Sequence, residues 1–111
     1  MTWGVWGKNF NTQEISKRIK ANVENGITTF DHADIYGDYT TEEAFGHAFE
    51  QTDIPREKIQ LISKCGIQLT NEKRKSYVKH YNFSKGYIIK QVERSLNNLK
   101  TDYLDLFLLH R

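Results

Sequence analysis

The order of its apolar segments constrains this chain more than any other feature of the sequence. Three times, a segment with apolar residues at helical spacing is followed by a short run of β-branched, aliphatic or aromatic residues. A helix between two strands returns the chain to the same end of a sheet, so strands joined in this way are parallel. The sequence therefore predicts an α/β fold in which helices cover a parallel sheet.

The first helix is predicted over residues 12–25. Asn11 is a suitable cap for its first turn, and Gly26 can end it by adopting a left-handed conformation. The strand that follows is predicted over Ile27–Phe30 and stops at Asp31. The helix is expected to bury a stripe formed by Ile15, Ile19 and Val23.

Two further helix–strand units follow. Thr40 is predicted to cap the second helix, which Pro55 prevents from continuing, and Ser84 is predicted to cap the third. The polar stretch Gln68–Phe83, which precedes the third helix, is predicted to be a long loop. The third helix is expected to bury a stripe formed by Ile88, Val92, Leu96 and Leu99.

Polar residues stand where each predicted strand ends. Asp31 follows the first strand, and Lys64 ends the second, which is predicted around Ile59–Ile62. His110 follows the third strand, which is predicted over Tyr103–Leu109. The carboxyl ends of parallel strands lie on one rim, where barrels and open α/β sheets gather their active sites. The three side chains are therefore predicted to meet in one site.

Four stretches carry recognisable motifs, namely Phe30–Gly37, Glu42–Gly46, Ser63–Gly66 and Asp102–Arg111. In order and spacing they resemble the aldo-keto reductases, above all the bacterial oxidoreductases with the same Asp-His-Ala-Asp-Ile-Tyr-Gly string. The resemblance extends over about residues 2–111. It implies an α/β fold that is a partial TIM (β/α)8 barrel, in which residues 1–111 form the N-terminal portion of a single barrel domain.

The resemblance also implies an enzyme that reduces a small-molecule carbonyl substrate with NADPH. The catalytic tetrad of the family maps onto Asp31, Tyr36, Lys64 and His110. The expected cofactor-binding residues are Thr2, Trp3 and Asp31.

The chemistry of carbonyl reduction explains these residue types. Hydride transfer leaves negative charge on the carbonyl oxygen, which needs a proton donor and polar groups directed at it. Tyr36 is the expected donor, and Lys64 supplies the positive charge that stabilises its phenolate. Asp31 is expected to hold the Lys64 ammonium, and His110 is expected to hydrogen-bond and orient the carbonyl oxygen.

Several of these residues also have an ordinary structural interpretation. Taken singly, Asp31 can be a turn residue and His110 a surface histidine. Tyr39 lies in the same loop as Tyr36 and competes with it for the role of donor, although the five-residue offset from Asp31 favours Tyr36. Trp3 fits a pocket wall and a core aromatic equally well.

Composition argues against several other classes of protein. The chain has 16 basic and 14 acidic side chains and a net charge of +2, which is not the concentrated positive field that nucleic-acid binding requires. No apolar run approaches the roughly 20 residues of a membrane helix. The single cysteine, Cys65, cannot form an internal disulfide and is expected to be a buried filler, and no secretion signal is visible. A cytoplasmic location is therefore expected.

Other polar residues are given ordinary roles. No metal is expected, because no pair of the candidate ligands has the spacing of a metal site; these candidates are His32, Asp34, His47 and His80. The long loop carries a basic run that is expected to be solvated or to form part of an active-site lid, and its members are Lys73, Arg74, Lys75 and Lys79.

The length of the chain leads to two interpretations. A complete barrel of this kind needs about 250 residues, whereas this chain has 111. The expected interpretation is a portion of a longer reductase whose main NADPH-binding residues lie in later strands, so that the 111 residues alone are inactive. The alternative is a naturally short, non-catalytic binding or regulatory module of the same fold.

Overall fold

The computed structural model describes residues 2–111, in which helices and strands alternate as the sequence predicts. The strands are β1 (Thr29–Asp31), β2 (Gln60–Cys65), β3 (Ile67–Gln68), β4 (His80–Tyr81) and β5 (Leu106–Leu109). The helices are α1 (Thr12–Glu24), the short turn α2 (Tyr36–Tyr39), α3 (Thr41–Glu50) and α4 (Lys85–Leu99), with a 3₁₀ turn at Arg56–Lys58. β1, β2 and β5 form a parallel sheet with β2 in the middle, which confirms the predicted α/β fold.

The hydrophobic core lies between one face of this sheet and the helices α1, α3 and α4. Side chains alternate along β2, so that Leu61 and Cys65 are buried whereas Ile62 and Lys64 are only partly covered. The core residues are Ile15, Ile19, Phe30, Phe45, Ala48, Ile59, Leu61 and Leu99. Three helices and one sheet face thus form a two-layer arrangement.

The opposite face of the sheet is open in the part of the chain that the structure describes. Leu106 and Leu108 of β5 lie beside Ile62 and Lys64 in the strand register and are 46% and 38% exposed. In a closed (β/α)8 barrel this face is the interior, which side chains from the other strands fill. The outer edge of β5 has no strand partner within residues 2–111.

The ends of α1 have the predicted geometry. Asn11 Oδ1 accepts a hydrogen bond from the Glu14 backbone N–H at 2.9 Å, and Gly26 has a φ of +81°. The N–H groups of Gly26 and Ile27 donate to the carbonyls of Val23 and Asn22, which is the Schellman pattern. The sequence predicts that this strand begins at Ile27. Because Ile27 takes part in the helix ending, β1 begins instead at Thr29.

The predicted side-chain cap at Thr40 is wrong. Thr40 precedes α3, but its hydroxyl donates to the carbonyl of Gly37 at 2.6 Å and caps no amide of the helix. The cause is the left-handed backbone of the preceding residues, which leaves Thr40 at φ −115° and ψ −19° and not in the extended conformation of a capping residue. Ser84 caps α4 as predicted, since its hydroxyl accepts from the Tyr87 N–H.

Helix α4 buries a different face from the predicted one. Gln91, Ser95 and Leu99 are buried, whereas three of the predicted residues, Ile88, Val92 and Leu96, are only partly buried. Gln91 donates to Asp34 Oδ2 at 2.8 Å, and Ser95 donates to Glu42 Oε1 at 2.8 Å. Two buried carboxyl groups therefore set the rotation of the helix, and an apolar periodicity cannot reveal this.

The long loop is more ordered than predicted. β3 and β4 pair in antiparallel fashion, with Ile67 opposite Tyr81 and Gln68 opposite His80. A bridge between Asn71 and Ser76 continues the pairing towards the tip. Residues 67–83 thus form a short hairpin-like excursion above the sheet. No helix within residues 2–111 is long and apolar enough to cross a membrane.

The open sheet face leads to a prediction about association. The 111-residue chain should self-associate as its concentration rises, because the β5 edge and its leucines are uncovered. Leu106→Lys should shift the chain towards monomer, whereas Ile27→Lys, at an equally exposed site outside the sheet, should not. Light scattering over a concentration series measures this, and a wild-type chain that stays monomeric at every concentration contradicts the prediction.

Candidate active site

The parallel register brings the three predicted strand-end residues to one rim. Asp31 pairs with Ile62 in the sheet, Lys64 lies two residues further along β2, and Leu108 of β5 is opposite Lys64. His110 follows β5, and its backbone N–H donates to the Cys65 carbonyl at 2.8 Å. The sheet therefore carries one polar residue of each strand to the same carboxyl end.

The Lys64 ammonium group joins Asp31 to Tyr36. Its Nζ lies 2.7 Å from Asp31 Oδ1, 2.9 Å from the His32 carbonyl oxygen and 3.3 Å from the Tyr36 hydroxyl. Only 14% of the Lys64 side chain is exposed, whereas Asp31 remains half exposed. An ammonium has three N–H donors, and each has an acceptor here. The Tyr36 oxygen accepts from Lys64, so the phenolic proton is free to be donated elsewhere.

The imidazole ring of His110 lies next to the ring of Tyr36. The two rings are perpendicular, with centroids 6.1 Å apart. Burial lowers the pKa of His110, the nearby Lys64 charge lowers it further, and Asp31 opposes this shift. The net lowering favours the uncharged form of the imidazole. Its Nδ1 is buried and has no hydrogen-bond partner within residues 2–111.

The close approach of β2, β5 and the loop at this rim requires glycine at position 66. Gly66 has a φ of +139°, a region that side chains rarely adopt. A Cβ at this position would lie 2.7 Å from the His110 carbonyl oxygen and would overlap the Phe83 ring. Gly66 thus lets the chain turn from Lys64 into the loop while His110 stays against β2.

Tyr36 is presented by an unusual left-handed turn. Gly37, Asp38 and Tyr39 have φ values of +63°, +54° and +68°. A non-glycine residue in this conformation costs on the order of 1–3 kcal/mol and persists only where the surroundings hold it. Two consecutive non-glycine residues, Asp38 and Tyr39, bear this strain, and only Gly37 separates them from the predicted proton donor.

The geometry separates the two candidate tyrosines. Tyr36 is the one whose hydroxyl reaches Lys64. The Tyr39 hydroxyl accepts from the Leu69 N–H at 3.0 Å, and burial raises the pKa of Tyr39. The Arg74 guanidinium stacks on the Tyr39 ring at 3.9 Å from its centroid. Tyr39 is thus engaged by the loop and not by the rim.

The three predicted cofactor-binding residues lie along one cleft. Thr2, Trp3 and Asp31 line an open cavity of about 260 Å³ beside β1. The Trp3 ring also meets Phe30 edge-on, with centroids 6.4 Å apart, and packs against the core. Trp3 therefore has both of the positions that the sequence left open, cleft wall and core aromatic.

A second layer of polar groups lies beneath the rim, and the sequence did not reveal it. Burial raises the pKa of Asp34 to about 6, against the opposing effect of its hydrogen bond from Gln91. Burial also raises the pKa of Glu42, which accepts from the hydroxyls of Ser63 and Ser95. The only sequence signals for this layer were the two motifs that contain the acids, Asp34 in Phe30–Gly37 and Glu42 in Glu42–Gly46.

Of the remaining polar candidates, Cys65 and His32 are buried, whereas His47 and His80 are exposed. Burial raises the pKa of the Cys65 thiol to about 11, which makes it unreactive at neutral pH. His32 is fully buried against Phe45, and neither ring nitrogen has a partner among the described residues. Over residues 2–111 the structure has no cluster of three metal-ligating side chains.

The buried imidazole of His32 leads to a prediction about stability. Burial lowers the pKa of His32 to about 3 from 6.5, so below pH 6.5 the unfolded chain binds a proton that the folded chain excludes. This histidine therefore costs about 2 kcal/mol of stability between pH 7 and pH 5. In His32→Leu that cost should disappear. Asp34, whose pKa burial raises, makes stability change with pH in the opposite direction, but it does so equally in both proteins.

Urea denaturation of wild type and His32→Leu at pH 7 and pH 5 measures this difference. His47→Gln, which changes an exposed histidine, is the control and should keep the wild-type pH dependence. An identical pH dependence in wild type and His32→Leu contradicts the buried neutral imidazole.

The fold and its rim define the class of the protein, an α/β chain that builds part of a (β/α)8 barrel with polar side chains at the carboxyl ends of its strands. The chain belongs to the aldo/keto reductase family, whose sequence profile matches residues 1–111. The family resemblance of the motifs is thereby confirmed.

Relatives of known sequence agree with this assignment. The chain is 46% identical to the oxidoreductase YcsN of Bacillus subtilis and 41% identical to the oxidoreductase YdhF of Escherichia coli, in each case over 98% of its length. The whole of the chain aligns with the 6-dehydroglucose reductase of Agrobacterium fabrum, at 39% identity. The chain spans between 36% and 39% of the length of these three relatives.

Solved structures support the partial barrel. A putative aldo-keto reductase from Pseudomonas aeruginosa matches 99% of the chain with a TM-score of 0.80 at 26% identity, and the match covers 39% of that protein. The holo form of the aldo-keto reductase AKR11C1 from Bacillus halodurans matches 90% of the chain with a TM-score of 0.70 at 29% identity, over 32% of its own length.

Proposed function

We propose that the protein reduces aldehydes or ketones to alcohols, with hydride from NADPH and a proton from Tyr36. The observation that carries the proposal is the Lys64 ammonium, which donates to Asp31 and to the Tyr36 hydroxyl at the same time. Its relatives named as oxidoreductases and as a 6-dehydroglucose reductase support this class of reaction. The buried, unpaired Cys65 is compatible with a reducing cytoplasm, where we place the protein.

The tetrad residues divide the work on the carbonyl oxygen. As hydride reaches the carbonyl carbon, negative charge develops on oxygen and Tyr36 donates its proton there. The phenolate that remains is stabilised by Lys64, whose ammonium already contacts the oxygen. Asp31 fixes the ammonium through its 2.7 Å contact, so that Lys64 points at Tyr36 without reorganisation.

His110 acts on the same oxygen from the other side. Burial and the Lys64 charge lower its pKa and so favour the neutral ring, in which one nitrogen carries a proton that it can donate in a hydrogen bond. The ring lies perpendicular to Tyr36 with centroids 6.1 Å apart, and its Nδ1 has no hydrogen-bond partner within residues 2–111. His110 thus orients the carbonyl and does not compete with Tyr36 as the acid.

The described residues fit part of a nicotinamide cofactor. The cofactor, when bound, supplies the hydride. The open sheet face at the rim and the cleft lined by Thr2, Trp3 and Asp31 offer room and an aromatic wall beside the tetrad. No cationic side chain lines that cleft within residues 2–111, so we assign binding of the cofactor phosphates to other residues. We infer that residues 1–111 are the N-terminal portion of one barrel domain, in keeping with the share of each relative that the chain spans.

Replacement of the proton donor tests the mechanism. Tyr36→Phe should slow hydride transfer by about 10²–10⁴-fold, or about 3–5 kcal/mol of barrier, and leave NADPH affinity near normal, because the phenol acts only in the transition state. Lys64→Met should act in the same direction. Stopped-flow measurement on the complete reductase with a reactive aldehyde is the test.

The matched control is Tyr77→Phe, which removes the hydroxyl of an exposed tyrosine in the loop. It should leave the rate of hydride transfer unchanged. A Tyr36→Phe enzyme that is as fast as wild type removes Tyr36 from the mechanism.

The 111-residue chain alone should show no reductase activity. We propose that the main cofactor-binding residues lie outside these 111 residues. Neither NADPH nor NADH should therefore support turnover of a nitrobenzaldehyde. A purified chain without contaminating reductase is assayed with both cofactors. Sustained turnover by the wild-type chain that is lost in Tyr36→Phe contradicts this prediction. It would show that the tetrad and the cleft are sufficient for catalysis.

A further inference from the structure

We propose that the loop over residues 67–83 holds the strained turn that presents Tyr36, and that Arg74 is the positioning residue of this clamp. The clamp consists of Leu69, Asn71 and Arg74, which contact Asp38 and Tyr39. The inference rests on the proposed function, because it concerns the placement of the proton donor. It adds to the tetrad a residue that acts through its contact with Tyr39.

The clamp contacts fall on the two strained residues. Asp38 Oδ1 accepts from Asn71 Nδ2 at 3.2 Å, and the Tyr39 hydroxyl accepts from the Leu69 N–H at 3.0 Å. The Arg74 guanidinium covers the Tyr39 ring at 3.9 Å. A left-handed conformation in a non-glycine residue persists only where its surroundings hold it. The Thr40 hydroxyl bonds the Gly37 carbonyl within the turn, and one loop supplies these contacts to the side chains of Asp38 and Tyr39.

Arg74 is itself anchored on α4. Its Nη2 donates to the Tyr87 hydroxyl at 3.1 Å and to Gln91 Oε1 at 3.2 Å. Gln91 is buried and passes the contact on by donating to Asp34 Oδ2 at 2.8 Å. One guanidinium therefore connects the loop, α4 and the segment between Asp31 and Tyr36. A planar group with several donors suits this combination of stacking and bonding, and a lysine does not.

The position of Tyr36 is sensitive to this turn. Its hydroxyl lies 3.3 Å from Lys64 Nζ, near the long end of hydrogen-bond distances. Within the left-handed turn, the backbone N–H groups of Tyr39 and Thr40 donate to the carbonyls of Ile35 and Tyr36, each at 3.3 Å. A small relaxation of the turn therefore separates phenol and ammonium, and misplacement of a catalytic group by about 1 Å can slow a reaction by 10²-fold.

Hydrogen exchange tests the clamp without any use of activity. In Arg74→Gln the amides of Tyr39 and Thr40 should exchange at least 10-fold faster than in wild type. Arg94→Gln is the matched control: Arg94 also donates to Gln91 Oε1, at 2.8 Å, but does not reach Tyr39. Unchanged exchange in Arg74→Gln, or equal acceleration in Arg94→Gln, overturns the inference.

Single-turnover hydride transfer in the complete reductase tests the consequence for the donor. Arg74→Gln should be at least 10-fold slower with NADPH affinity unchanged, and Arg74→Lys should recover only part of the rate. Arg94→Gln should match wild type. A loss of NADPH affinity in Arg74→Gln at an unchanged rate of hydride transfer overturns the positioning role.

Two further variants keep the outcome interpretable. Tyr39→Leu removes the other half of the stacking pair, so it should slow hydride transfer as Arg74→Gln does. The double variant should be no slower than either single variant. If Arg74→Gln does not fold, Tyr39→Leu decides alone. If Tyr36→Phe is slow while Arg74→Gln and Tyr39→Leu are fast, the clamp inference fails and the proposed function stands. If Tyr36→Phe is fast, the proposed function fails, and hydrogen exchange alone decides whether the loop holds the turn.

Discussion

A lysine ammonium with little access to solvent imposes the arrangement at the rim. Removal of a charge from water is costly unless the charge is paired and hydrogen-bonded. Lys64 meets this requirement with a carboxylate, a backbone carbonyl and a phenol, one for each N–H. These acceptors come from β1 and the segment after it, and the parallel register of β1 and β2 brings them to Lys64. The fold and the chemistry of the site therefore share one constraint.

The layer beneath the rim answers a second electrostatic requirement. Asp34 and Glu42 are buried carboxyl groups whose pKa values burial raises, and each is bonded to a polar side chain of α4. These bonds orient α4 and, through Gln91 and Arg74, also fix the loop. A half-satisfied buried network is destabilising, so these groups are expected to act as a unit.

The sequence revealed the rim and concealed what supports it. Parallel strands require only the order of elements, and the ends of those strands place Asp31, Lys64 and His110 together by geometry alone. The buried face of α4 was mispredicted because an apolar periodicity gives no weight to Gln91, whose partner is 57 residues away. The left-handed turn after Tyr36 was missed for a related reason: Gly37 and Asp38 tolerate this conformation, but Tyr39 has no local preference for it and is held there by long-range contacts.

The polar stripe of α4 restricts how the chain can vary. A stripe of apolar side chains tolerates a slight rotation of its helix, because dispersion contacts have no direction. Hydrogen bonds from Gln91 and Ser95 to fixed carboxyl groups do not tolerate it. Ile88 and Val92 can therefore exchange freely with other apolar residues during divergence, whereas a change at Gln91 or at Asp34 alone strands a buried polar group. The two positions are expected to change together among homologues, as a pair joined through space.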